Sequence, residues 1–496
     1  MATMTAQEAQ GRLVEVDVCE PPPVQATVPA GAAKTFRPYD PDQVLLMSPV
    51  LAEWVPQGDL AHFVGDLVDE ALDLSAIYAS YESERGYPPY DPRLMVKLLI
   101  YGYANGVCSS RKLEMATHRD VAIRMLCAGQ HPDYRSVARF RARHLEELSE
   151  LFVQALQLCA KAGLVTLGSR ALDGTKLRAN ASRRKAMSYE RMTKKEAELE
   201  VEIEALRNQA RDLLAQAELV DAAEDERYGA DRRGDELPAE LARRESRLVR
   251  LREAKAALEA EAEKREQSRR QMMEAEGKTP RATKDGRDPF APTPSAQRNF
   301  TDPDSKIMKT SDGAFHQCYN AQAIVDSTAQ VIVSAELSNS APDCPALLGA
   351  LEQLSENLAA IQAELPQGAT PAADAGYFSA ENVAISAERG LDPHIATGRQ
   401  KHSDPPPIAP RGPIPKDATP RQRMARKLKT KRGQGVYGRR KAIVEPVFGQ
   451  MQTVQDAKRL LMRGQNAARA QWRFHCAVHN LLKLHRAGGL GLATAG

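Results

Sequence analysis

Between residues 199 and 258 the chain carries a repeating apolar seam that few folds can accommodate. Leu199, Ile203, Leu206, Ala210, Leu213, Ala217 and Val220 step by four and three alternately. That is the a/d spacing that lays one stripe of a helix against a partner helix. Leu237, Leu241, Leu248, Leu251 and Leu258 keep the same register. Between the two runs, YGADRRGDELP places Gly229, Gly234 and Pro238, residues that break helices. The spacing predicts two long helices folded back as an antiparallel coiled-coil hairpin over residues 189–275. Seams closed within one chain and between two chains both satisfy the periodicity.

The segments on either side have different periods. Residues 1–38 hold a proline cluster (Pro21, Pro22, Pro23) and read as a mobile tail. Residues 39–163 read as a helical domain. Asp91 and Pro92 supply an N-cap and a first-turn proline, Ser109 or Ser110 caps the next helix, and Asp120 the one after. A basic stretch, DYRSVARFRARH, follows, with Arg135, Arg139, Arg141 and Arg143 around the start of a helix. Short helices ending in a basic one suit a helix-turn-helix-like DNA-binding unit, with Arg135, Arg139 and Arg143 as candidate contacts. A helical bundle with solvated arginines fits the same spacing.

From Leu164 onward β-compatible runs begin. LVTLGSRALD ends on Asp173, FHQCYNAQAIVD and QVIVSAEL read as two strands, and ATPAAD reads as a strand ending on Asp374. Helices are expected at 345–363 and at SAENVAISAERG, with Ser379 as cap and Gly390 as stop. DPHIATG reads as another strand, residues 400–438 as a long loop, and the last helices begin near Arg439. Residues 276–299 read as a linker. The fold class is therefore α/β: 164–188 and 300–486 form a mixed-sheet catalytic domain interrupted by the hairpin.

Composition narrows the function. The chain has 496 residues with 27% charged and 42% hydrophobic, which suits a globular protein of more than one unit. No run is apolar enough to span a bilayer, and the N-terminus lacks a signal-peptide pattern, so no membrane partner is expected. Seven cysteines are scattered without a CxxC pair, which fits a reducing cytoplasm and argues against a zinc site. The net charge of +3 hides a dense basic run at 421–441. Arg426, Lys427, Lys429, Lys431, Arg432, Arg439, Arg440 and Lys441, with Tyr437 among them, are candidate contacts to a polyanion. A solvated loop is the plainer alternative.

With the hairpin set aside, the order is strand with Asp, two strands, helix, strand with Asp, helix, strand, loop, and helix with Glu445. Carboxylates at strand ends and on a following helix can converge at one crevice. Gathered carboxylates repel unless cations neutralise them, and hard ions such as Mg²⁺ prefer oxygen ligands. Two such ions support in-line phosphoryl displacement. No nucleotide-binding glycine loop is present. Each acid has a plainer role available: Asp173 in a turn, Asp374 in an Asx-turn with Gly376, Glu445 facing solvent. Asp302, Asp304, Asp312, Asp326 and Asp343 compete for the middle position but rank below Asp374, because none clearly ends a strand at the switch region. Asn320 suits a strand-edge hydrogen bond, and His475 and His479 share a helix face with Trp472 as a core pair.

The blocks ALDGTKLRANAS, DPDSKIMKTSDGAFHQCYNAQAIVD, ADAGYFSAEN and YGRRKAIVEPVFGQM resemble those of bacterial insertion-sequence DDE transposases. YDPRLMVKLLIYGYANGVCSSRKLEMATHRDVAIRML and HPDYRSVARFRARH resemble their N-terminal helical domain. The resemblance implies an RNase-H-like core in which Asp173, Asp374 and Glu445 are the catalytic, metal-binding acids for two Mg²⁺ ions, with Mn²⁺ as a substitute. It implies double-stranded DNA as partner (element ends and target), self-association on DNA, and a cytoplasmic, nucleoid-associated site of action. Relatives often carry Tyr, Arg, Glu and Lys at fixed steps around the glutamate. Here the Arg440–Glu445 step is one residue longer, and Gln452 stands where the lysine would be. A nuclease that cuts without joining and an inactive DNA-binding scaffold are the rival readings.

Overall fold

Asp91 accepts the Arg93 N–H at 2.8 Å and Pro92 opens the first long helix, Pro92–Ala104, as the capping pattern predicts. The computed structural model describes residues 50–81, 88–182, 185–224, 236–275, 277, 279, 286–366, 368–398 and 408–491, without side chains for 210 and 212–241. The expected tail at 1–38 lies outside the described residues.

Short helices follow at Ser110–Arg119, Val121–Leu126 and Tyr134–Arg143, and then the long Leu145–Lys161. Asp120 and Asp133 cap two of them through side-chain bonds to backbone N–H groups. His144 (φ −108°, ψ 43°) breaks the run DYRSVARFRARHLEEL into two helices. There is no break in packing at residue 163. Leu145–Lys161 lies along the C-terminal helix Gln465–Arg486, and one apolar core runs from Val55 to Leu484.

Eight strands are described: β1 (Ser169–Arg178), β2 (Ala186–Ser188), β3 (Gln297–Asn299), β4 (Lys306–Lys309), β5 (Phe315–Asp326), β6 (Ile332–Ser338), β7 (Thr370–Ala373) and β8 (His394–Ile395). Six form one mixed sheet in the order β4-β5-β1-β7-β8, with β6 also on β5. Cys318 pairs with both Arg178 of β1 and Lys306 of β4. β4 therefore lies on the edge of β5 away from β1, followed along that edge by β6. β5 is antiparallel to β1, whereas β1, β7 and β8 run parallel. The helix Ala346–Ala360 covers β6, and the helix Arg440–Thr453 packs on β1.

The interrupting segment forms helices Tyr189–Glu224 and Glu236–Ala275, which pack on each other. Leu199 and Ile203 bury against Leu248, and Met192 against Leu251, Ala254 and Leu258. Residue numbers rise on one helix as they fall on the other, so the pair is antiparallel. Ion pairs Arg207–Glu245 (2.8 Å), Lys255–Glu196 (2.9 Å) and Arg244–Glu202 (3.3 Å) flank the seam. The seam residues Ala210, Leu213, Ala217, Val220, Leu237 and Leu241 lie outside the described side chains.

Two expectations are corrected. Residues 297–299 belong to β3, not to a linker: they pair with β2, so the chain enters and leaves the interrupting segment on neighbouring strands. The stretch 400–438 is not one loop, because it contains the helices Pro420–Leu428 and Lys431–Gly438. Thr419 and Gln422 form a reciprocal capping box with Pro420 at the first position, and Thr430 caps the second helix. That signal was present in the sequence, beneath its charge and prolines.

Candidate active site

β1 does not end on Asp173. Its antiparallel pairing with β5 continues to Arg178, which carries the strand five residues further. Its parallel pairing with β7 does end there. The last pair is Leu172 with Ala373, so Asp173 and Asp374 are the next residues on two adjacent parallel strands. Two acids thus stand side by side where the sheet opens, at the carboxyl end of its parallel part.

Asp374 accepts the Gly376 N–H at 2.8 Å, the Asx-turn expected of it, and this turn starts the segment leading to the helix Ala380–Glu388. Asp173 Oδ2 accepts from Arg440 Nη1 at 2.6 Å, and Oδ1 accepts the Gly174 N–H at 2.9 Å. Burial pushes the Asp173 carboxyl above its ordinary value; Arg440 and the Gly174 N–H oppose the rise and Asp374 adds to it. Arg440 is 8% exposed, and its buried Nε has no hydrogen-bond partner among the described residues. Its guanidinium lies 5.9 Å from the Tyr437 ring centre. Burial raises the Tyr437 phenol, and the Asp374 and Asp173 charges raise it further against Arg440.

Glu445 sits on Arg440–Thr453, whose buried face is Arg440, Ile443, Val444, Val447 and Met451. Glu445 itself is exposed. Seven residues on, Gln452 shares its face of the helix and donates to Thr175 Oγ1 of β1 at 3.0 Å. The departure from the lysine pattern is therefore a helix-to-strand tie. Pro446 inside the helix cannot donate to the Ala442 carbonyl; Gln330 Nε2 supplies that bond at 3.0 Å. Among the described residues, no group of three or more His, Cys, Asp or Glu side chains is gathered closely enough to hold a metal ion. Asp173 and Asp374 offer hard oxygen donors side by side, the set a divalent ion selects, and Arg440 already supplies a cation to one of them.

The competing aspartates have other partners. Asp302 takes the Tyr319 phenol (2.8 Å) and the Gly464 N–H (3.1 Å), and Asp304 takes the Gln465 N–H (2.9 Å). Asp326 takes the Leu167 N–H (2.8 Å), and Asp312 pairs with Arg178 (2.6 Å). Asp343 is the one that reaches the site. Its Oδ2 and Asp374 Oδ1 lie 3.2 and 3.1 Å from the point where a Cβ on Gly376 would stand. Lying in the loop after β6, it carried no strand-end signal. His475 and His479 are core residues, as expected.

The basic candidates divide. Lys427 is bound to Asp392 and to the Pro393 carbonyl (2.7 Å), and Arg432 lies 3.4 Å from Asp392. Arg426 donates to the Arg411 carbonyl at 2.9 Å. Lys429, Lys431, Arg439 and Lys441 are exposed. In the N-terminal helices, Arg135 and Arg139 are exposed. Arg143 lies over the Tyr81 ring and bonds the Ser80 carbonyl. Arg141 is buried against Tyr103 (2.9 Å) and the Cys108 carbonyl (2.8 Å).

Two family models match the chain. The Transposase domain (DUF772) matches residues 49–143, the N-terminal helices. The Transposase DDE domain matches residues 414–485, which include the basic helices, Arg440 and Glu445. Together they support an insertion-sequence DDE transposase family for this chain. No curated protein and no solved structure matches it. Among the described residues, no helix is long and apolar enough to cross a membrane.

Proposed function

We propose that this protein binds the DNA ends of its element, cuts them and joins the cut 3′ ends to target DNA, on an RNase-H-like core. The observation that carries the reading is the register of β1 and β7, which sets Asp173 beside Asp374, next to the helix of Arg440 and Glu445. The proposed metal-binding acids are Asp173, Asp374 and Glu445. When bound, Mg²⁺ or Mn²⁺ would activate the attacking oxygen and stabilise the leaving one. The chain's own residues do the rest. Asp173 and Asp374 hold the ions, and Glu445 completes the set by turning in from the helix face it shares with Gln452. Arg440 neutralises Asp173 before the ions arrive. Exposed Lys429, Lys431, Arg439 and Lys441 hold the DNA backbone beside the acids, and Arg135 and Arg139 contact the element end.

In the first step water attacks a phosphodiester and frees a 3′ hydroxyl. In the second, that hydroxyl attacks a target phosphate, with one P–O bond formed and one broken. We read the antiparallel helix pair as a coiled-coil hairpin that helps two protomers assemble on two ends, at the nucleoid. The test uses duplexes from the DNA flanking the reading frame, with Mg²⁺ and a supercoiled target. Joined products support transposition. Cleaved ends that never join would make the protein a nuclease.

A further inference from the structure

Strand register separates the two faces of β1. Gly174 pairs with Gln322 and Lys176 with Asn320, so these four residues share one face of the sheet. Asp173 and Thr175 point to the other face, where Arg440 and Gln452 meet them. On the first face, Asp343 Oδ1 accepts three donors: Lys176 Nζ at 2.8 Å, Asn320 Nδ2 at 2.8 Å and Gln322 Nε2 at 3.2 Å. Its Oδ2 is turned toward Gly376, which it brackets together with Asp374 Oδ1.

Gln322 passes the constraint on. Its Nε2 also donates to Asn320 Oδ1 at 2.8 Å, and its Oε1 accepts the phenol of Tyr377. Asn320, Gln322 and Tyr377 are fully buried. A Cβ on Gly174 would stand 2.5 Å from Gln322 Nε2. The glycine of LDGT thus clears the space in which Gln322 lies. Tyr377 follows Asp374 by three residues, so Gln322 holds the end of the turn that carries Asp374, and Asp343 Oδ2 stands beside Gly376 within that turn.

We propose that Asp343 is a positioning residue: with Lys176 as its counter-cation, and through Gln322 and Tyr377, it fixes the Asp374 turn from the sheet face opposite Asp173. The inference rests on the reading of Asp374 as a metal-binding acid. Groups that orient a metal-binding carboxylate typically cost about 10–100-fold in metal affinity when lost.

The test measures Mn²⁺ binding to the full chain without DNA, by calorimetry, together with metal-free melting temperature. Asp343→Asn keeps the shape of the side chain and removes its charge. Tyr377→Phe keeps the buried ring and removes only the bond to Gln322. Both are expected to weaken Mn²⁺ binding, Asp343→Asn by about tenfold, with the melting temperature of Tyr377→Phe close to wild type. Asp374→Ala is the reference. If it loses Mn²⁺ while Asp343→Asn and Tyr377→Phe bind as wild type does, the positioning role is wrong. If Asp374→Ala itself binds as wild type does, the reading of Asp374 falls, and this role with it. Should Asp343→Asn fail to fold, Tyr377→Phe decides alone: wild-type affinity overturns the role.

Discussion

Arg440 donates from Nη1 to Asp173 Oδ2 at 2.6 Å, with the two side chains 9% and 21% exposed. The pair spans 267 residues of sequence and joins the C-terminal helix region to the central strand. Removing one member of such a pair leaves the other charge poorly solvated, whereas removing both does not. Arg440→Ala should lower unfolding free energy by about 2–3 kcal/mol, below the full cost of a wholly buried pair because Asp173 retains some solvent. Asp173→Asn/Arg440→Ala should cost less than the sum of the singles. Denaturant midpoints measure this; additive costs would mean the pair contributes no coupling.

The buried histidines set an acid limit on stability. Burial pushes His475 down to about 3, with Arg141 adding, and His479 down to about 4 against its bond to the Gln330 carbonyl. The unfolded chain titrates near pH ~6.5, so it binds more protons than the fold below that pH. The neutral histidines' contribution is therefore full above about pH 6.5 and is lost as pH falls toward about 4 and then 3. Each unit below costs up to about 1.4 kcal/mol per histidine. Melting temperature should drop between pH 7.5 and 5.5, with a shallower drop in His479→Gln. A flat profile in the wild type would contradict the burial argument.

The basic segment should show two kinds of side chain in a salt titration. Neutralising Lys429, Lys431 and Lys441, which are exposed, should flatten the slope of log K against log salt by roughly 0.9 for each lost phosphate contact. Lys427→Gln should leave the slope alone and loosen the Asp392 loop, because its ammonium is held by Asp392 and the Pro393 carbonyl. An unchanged slope in the triple variant would return these lysines to the role of solvated charge.

β2 and β3 pair with each other on either side of the inserted segment, so the chain enters and leaves it at neighbouring positions. Replacing residues 189–296 with a short flexible linker should therefore spare the sheet. Gel-shift assays should show binding to a single end retained while paired-end complexes disappear. Paired-end complexes that survive would make the segment a spacer that closes its own seam.

Local chemistry made much of this architecture legible. Asp91, Asp120 and Ser379 are caps because short polar side chains satisfy free N–H groups. β5 follows its predicted bounds because FHQCYNAQAIVD is bordered by turns. What depends on pairing was hidden. The strand through Asp173 is longer than its apolar run because β5 holds it, and only the register with β7 shows why two distant acids meet. Asp343 ranks below Asp374 in the sequence because a loop gives no periodic signal. The helices Pro420–Leu428 and Lys431–Gly438 were obscured by charge, which suppresses the apolar pattern but leaves the capping residues in place.

Asp173, Asp374 and Glu445 are proposed to act together, although Glu445 is exposed on its helix. The most direct measurement is cleavage of end-DNA duplexes in Mg²⁺ by Asp173→Asn, Asp374→Asn and Glu445→Gln, alongside gel-shift binding of the same DNA. Loss of a metal-holding acid should abolish cleavage, while backbone contacts elsewhere keep binding within a few-fold. All three variants should bind DNA and none should cut it. Glu445→Gln cutting at the wild-type rate would remove the helix-borne acid from the site and contradict the three-acid account.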